Sequence, residues 1–262
     1  LEHGFTNFLA NQELGIIDTN LNVQGFNYFT ADPGAGITPV HVNVSNYYLG
    51  AYALDTLDLT DKLSLNGGLR FNQAQINSFD NGPTGALNAN NTFNHVNPMG
   101  GATYKITPET AFYASYSVAN RAPTPLELGC SDPSRPCVID SFMVADPPLK
   151  QVTSNTIDTG IRGGFKPAEK FPSMLGFLPG AVQWTAGIFR TNAFNDIFSI
   201  PSQIVGRGYF TNAGNTVRQG IELSTRYNDE RTSAYINYSL TDAYFNSQNF
   251  LGSPNNPIAK AI

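Results

Sequence analysis

The run Leu63-Ser64-Leu65-Asn66-Gly67-Gly68-Leu69-Arg70-Phe71-Asn72 decides how this chain folds. Its odd positions, Leu63, Leu65, Gly67, Leu69 and Phe71, are apolar or small, and its even positions, Ser64, Asn66, Gly68, Arg70 and Asn72, are polar or small. Side chains of an extended strand point alternately to opposite faces, so this is a strand between two unlike environments. The pattern recurs. Thr156–Phe165 sets Ile157, Thr159, Ile161 and Phe165 against Thr156, Asp158 and Arg162. Thr216–Tyr227 sets Val217, Ile221, Leu223 and Tyr227 against Arg218, Glu222 and Arg226. Thr232–Asp242 sets Ala234, Ile236, Tyr238 and Leu240 against Ser233, Asn237, Ser239 and Thr241. Weaker versions lie at Val42–Leu57, Pro98–Lys105, Ala111–Val118 and Gln183–Phe198, with a faint one around Asn22–Thr30. No segment carries a helical period, because Gly and β-branched residues interrupt each candidate. Several strands run ten or more residues, the length that crosses a membrane at a tilt of ~45°.

Composition narrows the classes. Charged residues make up 13% of the 262 and hydrophobic ones 41%, with a net charge of −5. Mild acidity without a basic cluster excludes a nucleic-acid binder. The absence of any run of ~18 apolar residues excludes a helical membrane span, and the apolar content is too high for a disordered chain. Leu1–Ala10 lacks the basic start and apolar core of a signal peptide, and Pro254–Ile262 is turn-like without closing any element. Both ends are therefore expected to be cuts within a longer protein.

The connections alternate in length. Short turns are expected at Asp58–Lys62, Lys105–Thr110 and Asn228–Arg231, and long polar loops at Asn77–Asn97, Asn120–Val152 and Ile200–Gly208. Lys166–Gly180 is longer than its place in this scheme requires. Its Phe171, Met174, Leu175, Phe177 and Leu178 suit a membrane interface or the cover of a barrel end. Short turns at one end and long loops at the other are the mark of a transmembrane β-barrel. Alternation alone fits a soluble sandwich equally well, with the polar face in water. Strand length, loop asymmetry and a polar face of Ser, Thr, Asn and Arg favour the barrel. Aromatics near strand ends, Tyr47, Tyr48, Tyr52, Phe71, Phe112, Tyr113, Tyr209, Phe210, Tyr244 and Phe245, fit interfacial girdles and ordinary strand preference equally. The two cysteines, Cys130 and Cys137, bracket Ser-Asp-Pro-Ser-Arg-Pro. That spacing favours a small disulfide-closed loop in an oxidising compartment over a pair of free thiols.

Several segments together resemble the barrel of TonB-dependent outer-membrane receptors. These are Asn97-Pro98-Met99-Gly100-Gly101-Ala102-Thr103-Tyr104-Lys105, then Thr110-Ala111-Phe112-Tyr113-Ala114-Ser115-Tyr116-Ser117, then Asn120-Arg121-Ala122-Pro123-Thr124-Pro125-Leu126-Glu127-Leu128. Leu65–Phe71, Asn212–Leu223 and the Cys130–Cys137 loop followed by Asp146–Val152 are similar to further family patterns. Where the family often has Glu before its Gly-Leu-Arg triplet, this chain has Asp158. The resemblance runs from about Tyr47 to Tyr244. It implies an all-β, antiparallel transmembrane β-barrel, partial, with about nine or ten strands of a larger, 22-stranded barrel. Residues 1–262 are expected to form a barrel segment without the plug domain.

Chemistry in the residues is sparse. His3, His41 and His95 are scattered, and no nucleophile elbow, phosphate loop or metal-ligand motif is present. Asp132, Asp140 and Asp146 share a loop without the spacing of a calcium site, and count as solvated loop charges. No enzyme activity, cofactor or resident metal is expected. Arg70, Asp158, Arg162, Arg218, Glu222 and Arg226 fall at positions expected to face the lumen. There they either line a substrate route and hold the plug, or pair across strands to stabilise the wall. Arg121 reads first as structural. Among expected loop residues, Phe79, Phe93, His95, Phe142 and Met143 are the least polar and are candidate substrate contacts. The resemblance implies a Gram-negative outer-membrane receptor for energised uptake of a scarce nutrient, most often a ferric siderophore. Its expected partners are outer-membrane lipid and the TonB energy-coupling complex, reached through the plug, and no nucleic acid. A passive porin-like channel and a soluble extracellular β-sandwich binding module are the alternatives.

Overall fold

The computed structural model describes residues 1–10, 14–26, 40–82, 87–132, 149–172, 179–201 and 208–247. Among the described residues thirteen strands and two single-turn helices follow in chain order. They are β1 (Glu2–Ala10), β2 (Leu14–Ile17), β3 (Val23–Phe26), β4 (Val40–Asp58), β5 (Leu63–Asp80), β6 (Ala89–Thr107), β7 (Thr110–Arg121), α1 (Pro125–Leu128), β8 (Val152–Phe165), α2 (Pro167–Lys170), β9 (Ala181–Phe194), β10 (Ile197–Pro201), β11 (Gly208–Asn212), β12 (Thr216–Asn228) and β13 (Ser233–Phe245). Nine of them make one antiparallel sheet in the order β1-β4-β5-β6-β7-β8-β9-β12-β13. The hairpins β2–β3 and β10–β11 stand apart as two-stranded sheets.

Register carries the alternation across the whole sheet. On one face Leu57 pairs with Leu65 and Leu65 with Ala102, while Ala51 pairs with Phe71 and Phe71 with Val96. On the other, Thr56 pairs with Asn66 and Tyr52 with Arg70. The apolar face is left open: Leu69, Ile157 and Ile188 are each more than half exposed. A soluble sandwich would cover such a face with a second sheet, whereas a barrel in lipid leaves it bare. Above Phe71 the same face turns polar, with Gln73 opposite Asn94 and Gln75 opposite Thr92. The apolar stripe Leu63–Phe71 thus spans about 27 Å of strand at about 3.4 Å per residue.

The wall is uneven in height. β4, β5 and β6 are 18 or 19 residues long, and β7, β8, β9, β12 and β13 are 12 to 14. The turns 59–62, 108–109 and 229–232 align at one end, so the extra length rises at the other. This corrects the expected loop at Asn77–Asn97: most of it is strand, with Ser78 still paired to Ala89. Outside lipid the outward face turns polar at Gln73, Gln75 and Asn77 while Ala74 and Ile76 on the inner face are buried, so the alternation inverts as the backbone ladder continues. The expected loop at Ile200–Gly208 is likewise flanked by the β10–β11 ladder. The first strand, β1, pairs with β4 from Glu2↔Tyr48 to Ala10↔Val40 and was not foreseen in the sequence.

The 229–232 turn is built around one carboxylate. Asp229 accepts hydrogen bonds from the Tyr227 hydroxyl at 2.7 Å and from the backbone amides of Arg231 and Thr232 at 2.7 and 2.6 Å. These donors, the tyrosine foremost, hold its pKa below the ordinary aspartate value. A lowered native pKa means that the added stability is present above the unfolded pKa of about 3.9 and is lost as pH falls through the native value. The amide resonances of Arg231 and Thr232 should titrate with a midpoint below about 3.9 and be flat in Asp229→Asn. A midpoint at or above that value would show that the turn does not hold the carboxylate.

Candidate functional site

The polar face carries every charged residue singled out in the strands. Arg70 lies opposite Tyr52 and Asn97, Asp158 opposite Ser115 and Phe189, and Arg162 opposite Ala111 and Thr185. Arg218 lies opposite Thr191, Glu222 opposite Gly187 and Arg226 opposite Gln183. Continuous registers from β5 to β12 put all six on one face.

Their local partners differ. The Arg70 Nε donates to Asn72 Oδ1 at 2.7 Å, and Gly50 leaves room for the guanidinium, since a Cβ there would sit 3.1 Å from its Nη2. Arg162 stands 5.7 Å over the ring of Tyr113. Tyr113, counted among the girdle candidates, instead lies across this face with its hydroxyl against Gly160 and Gly187. Arg226 Nε donates to Asn228 Oδ1 at 3.2 Å. Arg218 meets Asp196 at 3.1 Å, and Asp196 also accepts from the Thr216 hydroxyl at 2.8 Å. That pair ties β12 to the corner before β10 rather than to a neighbouring strand.

Higher on the same face lies an amide network that sequence reasoning missed. Asn120 Oδ1 accepts from Asn72 at 2.9 Å and from Asn97 at 2.7 Å, and its Nδ2 donates to Gln151 at 3.0 Å. Gln151 donates to the Asn94 carbonyl at 2.8 Å, and His95 Nδ1 meets Asn97 Oδ1 at 2.7 Å. The cause is local. The β6–β7 ladder ends at Met99↔Ser117, next to Pro98, which has no N–H to donate. Beyond it, side chains bridge β5, β6, β7 and the segment before β8. The Asn97-Pro98 pair was the available signal.

Nearer the long-loop end the face becomes apolar. Val42, Val44 and Ile76 pack with Leu128, Cys130, Leu149, Val152, Ala193 and Ile197, with Phe8, Phe93 and Phe210 partly buried against them. α1 enters through a capping box: the Thr124 hydroxyl accepts from the Glu127 amide and the Glu127 carboxylate accepts from the Thr124 amide. Glu127 also receives Arg121 in a bidentate pair at 2.8 and 3.1 Å, which gives Arg121 its structural part. Of the expected loop contacts, Phe79, Phe93 and His95 lie on β5 and β6 rather than in a loop. Phe79 shares the outward register of Phe71 and is 58% exposed, so it does not face the network. Phe142, Met143 and Cys137 lie outside the described residues, as do Met174, Leu175, Phe177 and Leu178.

An open apolar face, short turns at one end and a continuous antiparallel ladder describe part of a membrane barrel wall, and the comparisons say which. Residues 2–260 match the family described as TonB dependent receptor-like, beta-barrel. The chain belongs to that family. As a TonB-dependent receptor barrel it sits in the Gram-negative outer membrane. The barrel is 28% identical over 199 residues to the probable TonB-dependent siderophore receptor PiuA of Acinetobacter baumannii, covering 75% of this chain and 23% of that protein. It thus spans about a quarter of the length of that curated relative. The crystal structure of PiuA from the same organism superposes with a TM-score of 0.56 at 17% identity, over 99% of this chain and 35% of the other. The ferric-catecholate import receptor Fiu from E. coli K12 gives 0.56 at 20% identity, over 81% and 30%. The fold class of the receptor barrel is thus as read from the sequence, with nine strands in the main sheet among the described residues.

Proposed function

We propose that this receptor barrel is the wall of a transporter that takes up ferric siderophores with energy from the TonB complex, and that its polar face lines the lumen. The observation that carries the proposal is that Arg70, Arg162, Arg218, Arg226, Asp158 and Glu222 share one face while the opposite face is apolar and open. Guanidiniums on such a polar wall offer forked donors to the oxygens of anionic chelates. The name of the curated relative supports the cargo. The long-loop end captures the chelate, with Phe93 and His95, and Phe142 and Met143 outside the described residues, as candidate contacts. A plug carried outside residues 1–262 then rearranges under the pull of TonB. A Cys130–Cys137 disulfide would be anchored at Cys130, which is buried with Leu128 in the apolar cluster.

The test is growth and labelled-iron uptake by a receptor-null host carrying the full-length protein, supplied with defined ferric catecholates and hydroxamates. Uptake of at least one chelate should depend on the receptor and vanish without TonB. The double substitution Arg70→Gln/Arg162→Gln should lower it by about tenfold at unchanged surface level, the scale of two weakened charge-assisted contacts. Uptake that persists without TonB would identify a passive channel instead.

A further inference from the structure

The apolar face holds a groove with a cation at its head. The row Phe112–Ile161–Ala186–Leu223 runs across four strands, and small Ala186 stands between two large neighbours. With Trp184 below and Ile188 above, these side chains line a depression of about 380 Å³. Its walls are almost wholly apolar. On β9 the stripe Trp184, Ala186, Ile188 continues to Arg190, which shares their face by register and lies opposite Ile157 and Gln219. Arg190 donates to Gln219 Oε1 at 3.3 Å, and Gln219 donates to Asp242 at 3.3 Å.

Position selects the occupant. Trp184 lies toward the turn end of β9 and Arg190 toward the long-loop end, so the cation faces the outer leaflet. Six residues make about 20 Å of strand, or about 15 Å of depth at a tilt of about 40°, within an apolar band about 25 Å tall. That is the reach of one acyl chain within one leaflet. A guanidinium forms forked hydrogen bonds to phosphate, and Gln219 holds this one over the top of the groove. We infer that this surface seats an acyl chain of a phosphorylated outer-leaflet glycolipid, with Arg190 on its phosphate. The inference rests on the proposed orientation of the wall, not on the cargo.

Native mass spectrometry of the full-length receptor in mild detergent, titrated with lipid A, tests it. Bisphosphorylated lipid A should bind about tenfold more tightly than dephosphorylated lipid A, the scale of one charge-assisted contact. Arg190→Gln should abolish that preference, and Ala186→Phe, which fills the groove, should weaken both lipids. The comparison of the two lipids on the wild-type receptor needs no variant, so misfolding cannot mask a failure. Equal affinity for both lipids, or equal affinity for phosphatidylglycerol, overturns the assignment. Ferric-siderophore uptake is measured on the same variants, so a failed lipid seat and a failed cargo reading appear in different assays.

Discussion

Gly160→Ala should destabilise the barrel wall by about 3 kcal/mol, at the upper end of ordinary overpacking, and no change at Tyr113 should recover it. Gly187→Ala, on the paired residue, should lose about 1–2 kcal/mol and regain most of that when combined with Tyr113→Phe. The difference lies in what each new methyl meets. A Cβ on Gly160 runs into the Ala186 carbonyl oxygen and comes within 2.8 Å of the Gly187 Cα, both backbone atoms of the next strand. A Cβ on Gly187 meets the Tyr113 hydroxyl at 2.6 Å, and its next neighbour is 3.5 Å away. Removing one oxygen therefore opens the second site and not the first. Urea unfolding of the refolded full-length receptor in micelles, followed by heat-modifiable migration, measures both. If Tyr113→Phe rescues the two alanine variants equally, the strands are not in this register.

Asp196→Ala should free the β10–β11 hairpin while leaving the wall intact. Asp196 is 8% exposed. Its carboxylate accepts from the Thr216 hydroxyl, Arg218 and the Ile197 amide, and its backbone joins Gly214 and Ala213. Loss of the side chain strands the buried Thr216 hydroxyl, at about 1–3 kcal/mol. The Arg218 contribution is smaller, because that side chain is 47% exposed and screened by water. About 2 kcal/mol corresponds to roughly 30-fold faster amide exchange through local opening. That acceleration should appear at Ile197 and Ala213 and be absent from Ile188 and Ile221. Uniform acceleration across β9 and β12 would show that Asp196 holds the wall rather than the hairpin.

Much of this molecule was legible in period two. Leu63–Phe71 gave both faces of β5, and the even residues of β12 placed Arg218, Glu222 and Arg226 together. The signal fails where its physical cause stops. Between Gln73 and Asn97 the strands stand clear of lipid, so Asn, Gln and Thr take over the outward face and the segment reads as loop. β10 and β11 are five residues each, too short for alternation to emerge. The apolar cluster is assembled from β4, β5, α1, β8, β9 and β10, and no local pattern announces contacts that distant in sequence. The amide network could not be inferred from alternation, because Asn120 bonds to Asn72 and Asn97 only beyond the point where the β6–β7 ladder has ended.

Asn195, at φ 54°, and Gly214, at φ 91°, mark where the chain departs from the sheet and returns to it. Between them the hairpin leaves no mark on the wall, since Ala193 still pairs with Thr216 across the gap. The excursion behaves as a cassette. Its length can turn over in evolution, or be exchanged by design, without a one-residue slip in any transmembrane ladder, provided the two bends, the Asp196 clasp and the seats of Ile197 and Phe210 at the apolar cluster are kept. Diversity at the mouth and constancy of the wall are thereby separate inheritances within one chain.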